Sequence, residues 1–236
     1  MKRAVSLSLA ATVWIGCARD ARAQFPHVNR KLTARGVTIH KAVLLPAQVT
    51  VNKIGVKGAE GGVPQAEQIG GSFYSAVSTE LALRGIEVLP NPLEQAKDDA
   101  ARYAIADLQA RYDNVGVQVR RRPGSVEKGR FTLGDGVAKF EPGAAADILV
   151  FIRGTGHVLT SARKAIGLAE WNWIGMGRMS QFRGEVTFVD AKTGEVLALI
   201  RFARGRDMTV KSGERFSQSL REALHDVPLP LPPPKG

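Results

Sequence analysis

The chain has 236 residues, with 33 lysines and arginines against 22 aspartates and glutamates and a formal charge of +11. Apolar residues at 44% and charged residues at 23% exclude wholesale disorder and collagen-like repeats. A single cysteine excludes an intrachain disulfide and a structural zinc site built from several cysteines.

The first residues read as an address. Met1-Lys2-Arg3 is basic, and residues 4–16 (AVSLSLAATVWIG) are uncharged and mostly apolar. That length suits a signal-peptide hydrophobic region and is too short for a helix to span a bilayer. Two exits are open within residues 1–23. Trp14-Ile15-Gly16-Cys17 resembles a bacterial lipobox, whose cysteine receives a diacylglyceryl group, so Cys17 is the candidate lipidation site. Ala21-Arg22-Ala23 is an A-x-A site for the general signal peptidase, with Gln24 as the new N-terminus. By the lipoprotein resemblance, Ala18 in place of an aspartate after the cysteine points to the outer membrane. Acyl chains anchor firmly because each buried CH₂ contributes about 0.8 kcal/mol.

Export changes what the charge means. Cleavage before Cys17 removes Lys2 and Arg3 and leaves +9; cleavage after Ala23 also removes Arg19, Asp20 and Arg22 and leaves +8. A basic chain in the envelope meets anionic lipids and glycans rather than nucleic acid.

Residues 24–36 are polar and basic and read as a tether. Residues 37–51 (VTIHKAVLLPAQVTV) are rich in β-branched residues and form a strand that Pro46 ends. Residues 55–62 are a glycine-rich loop. From Pro64 to Arg84, Ile69, Phe73, Val77 and Leu81 recur every four residues as one helical stripe, and Gly85 stops the helix. Gly70-Gly71 inside it allows either close packing or a later start at Ser72. Residues 86–89 are a short strand. A second helix covers 92–112, with Leu93, Ala96, Ala100, Ala104, Leu108 and Tyr112 on its apolar face. Residues 113–143 carry Arg120-Arg121-Arg122 and many glycines and read as a long loop. Residues 147–159 (DILVFIRGTGHVL) are a central strand, and 160–175 a third helix. Residues 181–204 are a hairpin around Asp190-Ala191-Lys192-Thr193-Gly194-Glu195. A last helix covers 212–225, and residues 226–236 form a proline-rich tail that stays out of the core.

The order β-α-β-α-loop-β-α-β-β-α predicts a single α/β domain over 37–225, a mixed sheet with helices packed on it. Leu44-Leu45-Pro46, Leu83-Arg84-Gly85, Ala145-Ala146-Asp147 before the apolar strand, and the Asp190 to Leu197 turn also carry a resemblance. The chain resembles small proteobacterial envelope lipoproteins of the superfamily that includes the curli-secretion lipoprotein, the lipoprotein activators of penicillin-binding proteins and the TolB N-terminal domain. Those pieces mark a strand entry and a turn, so the resemblance implies a fold and an envelope setting and no activity.

Nucleophile-elbow, phosphate-loop and zincin motifs are missing from the sequence. Gly134-Asp135-Gly136 and Gly154-Thr155-Gly156 lack the third glycine of a dinucleotide fingerprint and read as turns. His40 and His157 lie on predicted strands and are the only histidines placed to approach each other; an exposed or hydrogen-bonded role outweighs a metal there. No cofactor is expected. Trp171 and Trp173, with Arg120, Arg121 and Arg122, form the candidate interaction surface, weighed against core packing for the tryptophans and a solvated loop for the arginines. The expected function is a non-enzymatic interaction, assembly or regulatory module in the periplasm, anchored to the outer membrane. Its expected partners are envelope proteins or anionic lipid and glycan surfaces. The alternative is a soluble periplasmic binding module for an anionic ligand, which predicts a concave basic pocket.

Overall fold

A computed structural model describes residues 24–34, 38–55, 58–159, 181–205 and 213–229. The signal region with Cys17, the expected third helix, and Trp171 and Trp173 lie outside the described residues. Among the described residues, eight strands form one mixed sheet.

Its centre is β6 (Ile148–Leu159). This run is apolar and free of proline, so it can be hydrogen-bonded on both edges and buried on both faces. On one edge it pairs antiparallel with β7 (Gln181–Asp190), which turns into β8 (Val196–Gly205). The turn is built locally, as its sequence predicts. The Asp190 carboxylate accepts from the N–H groups of Lys192 and Thr193 at 2.9 and 2.8 Å, and Gly194 takes φ 70°.

The other edge of β6 is shared. β2 (Lys41–Leu44) pairs parallel with its start and β3 (Gln48–Gly55) parallel with the rest. Leu44 faces Val150 and Gln48 faces Arg153, so one extra residue sits on the β2–β3 side. Pro46 separates the two strands, as its sequence position predicts, but the chain resumes on the same edge of β6. Pro46 lies in a bulge, where its missing N–H breaks no ladder bond. The expected glycine-rich loop is a strand over most of its length: β4 (Gly58–Gly61) returns antiparallel along β3. β5 (Glu87–Val88) pairs parallel with β2 at the far edge.

Residues 24–28 correct the expectation of a tether. β1 (Gln24–Val28) adds to β8 as an edge strand, where Pro26 is tolerated. Asn29 then caps α1 (Arg30–Thr33) by accepting from the Lys31 N–H at 2.9 Å. Its amide Nδ2 donates to Glu195 Oε1 at 2.8 Å and to the Val196 carbonyl at 3.3 Å, and Leu32 enters the core. Asn29 is almost fully buried, so Asn29→Ala removes a cap and leaves the Val196 carbonyl short of a donor. A loss of about 1–3 kcal/mol is expected, read as a lower urea midpoint at unchanged slope. An unchanged midpoint would show that β1 is not held in this way.

Helices cover both faces. On one, α2 (Val63–Ala82) buries the predicted stripe of Ile69, Phe73, Val77 and Leu81, and it runs through Gly70-Gly71 unbroken. The last helix, here α6 (Gly213–Leu224, after α3–α5 below), lies against α2. Val227 and Leu229 follow it into the same core, so the start of the proline-rich tail is packed, contrary to expectation.

On the other face the expected 92–112 helix divides. α3 (Pro92–Gln95) is one turn, and α4 (Asp99–Arg121) starts at Asp98, whose carboxylate accepts from the Ala101 N–H at 2.8 Å. α4 buries Ile105, Leu108, Tyr112 and Val119, while Leu93, Ala100 and Ala104 are exposed. The expected stripe leaned on alanines, which fit either face of a helix; the larger side chains set the true phase. Residues 113–143 are not a loop. They complete α4, form 3-10 turns at Pro123–Ser125 and Asp135–Lys139 and the short α5 (Glu141–Ala144), and bury Val126, Phe131, Leu133, Val137 and Phe140.

Candidate functional site

Strand alternation carries Phe151, Arg153 and Thr155 of β6 onto the α4 face, with Thr187, Glu185 and Arg183 of β7 and Leu199 and Arg201 of β8. Near the start of β6 this face is apolar and lies under α4. Beyond Phe151 the face turns ionic, and α4 borders it with Gln109, Tyr112, Asp113 and Arg120. One cross-strand row reads Gln48, Arg153, Glu185, Arg201 and Gln24, over five adjacent strands. Opposite charges alternate at its centre, the favourable arrangement for direct cross-strand neighbours.

Glu185 organises the row. Its Oε1 accepts from the Tyr112 hydroxyl at 2.8 Å and from Arg120 Nη1 at 3.2 Å, and its Oε2 lies 3.4 Å from Arg201 Nε. The Tyr112 hydroxyl also shares a 2.5 Å hydrogen bond with Thr187 Oγ1. Tyr112 stacks on Phe151 with centroids 4.3 Å apart, and the Arg153 guanidinium sits 4.7 Å above the tyrosine ring. Arg153 Nη1 pairs with Asp113 of α4. Burial pushes the Tyr112 phenol well above its ordinary range, and the Glu185 charge adds to that, so it serves as a fixed donor.

Gln48, Arg153, Glu185 and Arg201 of this row form the floor of a recess of about 670 Å³, lined also by Thr50, Thr155, Arg120 and Arg183. Arg153 Nη2 and Arg201 Nε and Nη2 are buried there with no hydrogen-bond partner. An unpartnered buried donor costs about 1–3 kcal/mol, more when charged, so an acceptor in the recess would be strongly rewarded. A guanidinium remains protonated in proteins and offers N–H donors in a planar fork. The chemistry of such a wall suits an anion and not a proton relay. A second cleft of about 610 Å³ lies between β3 and α2, lined mainly by small and apolar residues such as Ala47, Val49, Ala66 and Gly70.

Of the three predicted arginines, Arg120 alone reaches the recess. Arg121 and Arg122 are exposed at the end of α4, on and beside a helix rather than in a loop. His40 precedes β2 at the start of β6 and His157 lies near the end of β6, more than about 30 Å of strand apart. The two do not form a pair. Among the described residues, no three metal-ligating side chains cluster. Gly154 and Gly156 lie within β6 and not in a turn.

Arg153, Glu185 and Arg201 were not singled out from the sequence. A signal was present: each interrupts a β-rich run, IRG in β6, GEV in β7 and IRF in β8. A charged residue in such a run must be paired or functional.

No family model matches the chain, and no curated protein matches it. The chain is similar to a solved PelC dodecamer from Paraburkholderia phytofirmans, a single-substitution variant, with TM-score 0.37 and 12% identity over 83% of this chain and 91% of that one. It is similar to lipoprotein GNA1162 from Neisseria meningitidis with TM-score 0.33 and 8% identity over 79% and 96%. A second PelC dodecamer crystal form gives TM-score 0.32 and 13% identity over 86% and 95%. A lipoprotein is therefore among the solved structures it is similar to; the narrower resemblance named above is carried by the sequence motifs.

Proposed function

We propose that this chain is an exported envelope protein, held on the outer membrane through Cys17, where it works non-enzymatically as an interaction, assembly or regulatory module. The basic start, the apolar residues 4–16 and Gly16-Cys17 support export and lipidation. The observation that carries the reading is how near to Cys17 the described sheet comes in the chain. β1 starts at Gln24, only seven residues after Cys17. A lipid on Cys17 would hold the β1–β8 edge within about 25 Å of the bilayer. A domain kept that close suits contact with partners at the membrane surface.

Intact mass and fractionation in a Gram-negative host, for the parent and Cys17→Ser, test this. The expected result is a mature chain starting at Cys17, heavier by its lipid and found in membranes, with Cys17→Ser lost from that fraction. A chain starting at Gln24 in osmotic-shock fluid overturns the anchor. The second reading, a soluble periplasmic module for an anionic ligand, is favoured by the basic recess and its unpartnered guanidinium nitrogens.

A further inference from the structure

We infer that the recess holds a phosphate group between Arg153 and Arg201, with Arg183 and Arg120 at its rim. This deepens the anionic-ligand reading and rests on it; it does not depend on the anchor.

Three features converge on phosphate. The first is donor supply. Arg153 Nη2 and Arg201 Nη2 lack hydrogen-bond partners and Arg201 Nε makes only a 3.4 Å ion pair with Glu185, while Arg153 Nη1 is taken by Asp113. An oxyanion with several acceptor oxygens can meet donors arriving from two strands at once, which a single carbonyl or hydroxyl cannot. The second is charge. Four guanidinium groups, of Arg120, Arg153, Arg183 and Arg201, face two carboxylates, of Glu185 and Asp113. The surplus of two positive charges matches a phosphate monoester, which carries about −1.5 to −2 at neutral pH, better than a carboxylate.

The third feature is preorganisation. Glu185 lies between Arg153 and Arg201 in the row, and Tyr112 underlies Arg153, so these side chains are positioned before any ligand arrives. Little ordering cost is then left to binding. Space is also adequate: about 670 Å³ admits a phosphate with an organic stem. The phosphate could arrive free in solution or on a lipid head group, since Gln24, through which the chain leads back to Cys17, pairs with Arg201 at the edge of the same row.

The test uses the mature chain purified from the host envelope, whichever residue it starts with. It is titrated calorimetrically with inorganic phosphate, with sodium acetate at matched ionic strength, and with dihexanoyl phosphatidic acid below its micelle concentration. Saturable phosphate binding is expected, weakened about tenfold or more by Arg153→Gln and by Arg201→Gln and unchanged by Arg121→Gln outside the recess. If the two buried substitutions unfold the chain, Arg183→Gln at the exposed rim decides, with an expected loss of about threefold at unchanged melting temperature. Tighter binding of the phosphatidic acid than of inorganic phosphate identifies the lipid source; the reverse identifies a free solute. Binding of acetate without phosphate overturns the phosphate inference and leaves the anion reading standing. Binding of neither overturns both. An equal loss in Arg121→Gln also overturns the site, because diffuse surface charge would then account for the binding.

Discussion

Gly184→Ala is expected to destabilise the domain by about 2–3 kcal/mol, although alanine in a strand is otherwise better than glycine by about 0.5–1 kcal/mol. The reason lies on the α2 face. Gly154 of β6 and Gly184 of β7 are direct cross-strand partners. A Cβ on Gly184 would stand 2.2 Å from Cζ of Phe202, and one on Gly154 2.3 Å from Cζ of Phe182. Neither ring can withdraw. Both are almost fully buried, and each meets Phe73 of α2 edge-on, with centroids 5.4 Å away for Phe202 and 6.0 Å for Phe182. The two glycines thus form a slot in the sheet for two phenylalanine rings clamped by a third. Overpacking of this kind typically costs about 1–3 kcal/mol, and in a domain of this size each kcal/mol lowers the melting temperature by about 2–4 °C. Trimming Phe202 to leucine in the Gly184→Ala background should recover part of the loss. An undiminished melting temperature for Gly184→Ala would show that the rings are not clamped.

Glu80→Ala is expected to cost about 2–4 kcal/mol and to abolish a distinctive acid sensitivity. Glu80 is almost fully buried where α2 meets α6. Its Oε1 accepts from Arg221 at 2.9 and 3.1 Å, and its Oε2 from Arg84 at 2.9 Å. Burial alone would raise the carboxyl pKa, but the hydrogen bonds and charges of Arg221 and Arg84 outweigh it and hold the group below its ordinary range. Removing the carboxylate leaves Arg84 mostly buried, whereas Arg221, 62% exposed, can turn into water. That escape keeps the cost below the upper range for a broken buried pair.

The sign of the pH dependence follows from the lowered pKa. The contribution is fully present above the unfolded glutamate value of about 4.3 and is lost as pH falls through the lower folded value. Urea midpoints at pH 7 and pH 3 should therefore converge between parent and Glu80→Ala as pH falls. A difference that stays constant with pH would assign the loss to packing alone. The double variant Glu80→Leu/Arg84→Leu should lie nearer the parent than Glu80→Ala, because it removes the buried guanidinium together with its carboxylate while Arg221 turns into water.

The sheet explains why one face can be both core and candidate site. β6, β7 and β8 extend beyond the apolar residues that α4 covers, and the same alternation that supplies Phe151 and Leu199 to the core supplies Arg153 and Arg201 to the recess. The recess is thus positioned by the most deeply buried strands, a rigid support for a binding surface.

Where structure depends on neighbours along the chain, the sequence was a sufficient guide. The Ile69–Leu81 stripe of α2, the Asp190–Gly194 turn of the β7–β8 hairpin, the unbroken β6 and the α/β class all follow from periods and turn chemistry acting over a few residues. Tertiary structure alone decided the rest. Pro26 obscures a strand that forms only because β8 offers a free edge. Pro46 marks the end of β2, but only the pairing with β6 brings β3 back onto the same edge after it. Residues 113–143 look like a loop because Val126, Phe131, Leu133, Val137 and Phe140 are spaced for no helix or strand; they are buried because the sheet has a face to cover. The recess belongs to this second group. Arg153, Glu185 and Arg201 are neighbours through strand register, and register is set by long-range pairing that no local spacing encodes.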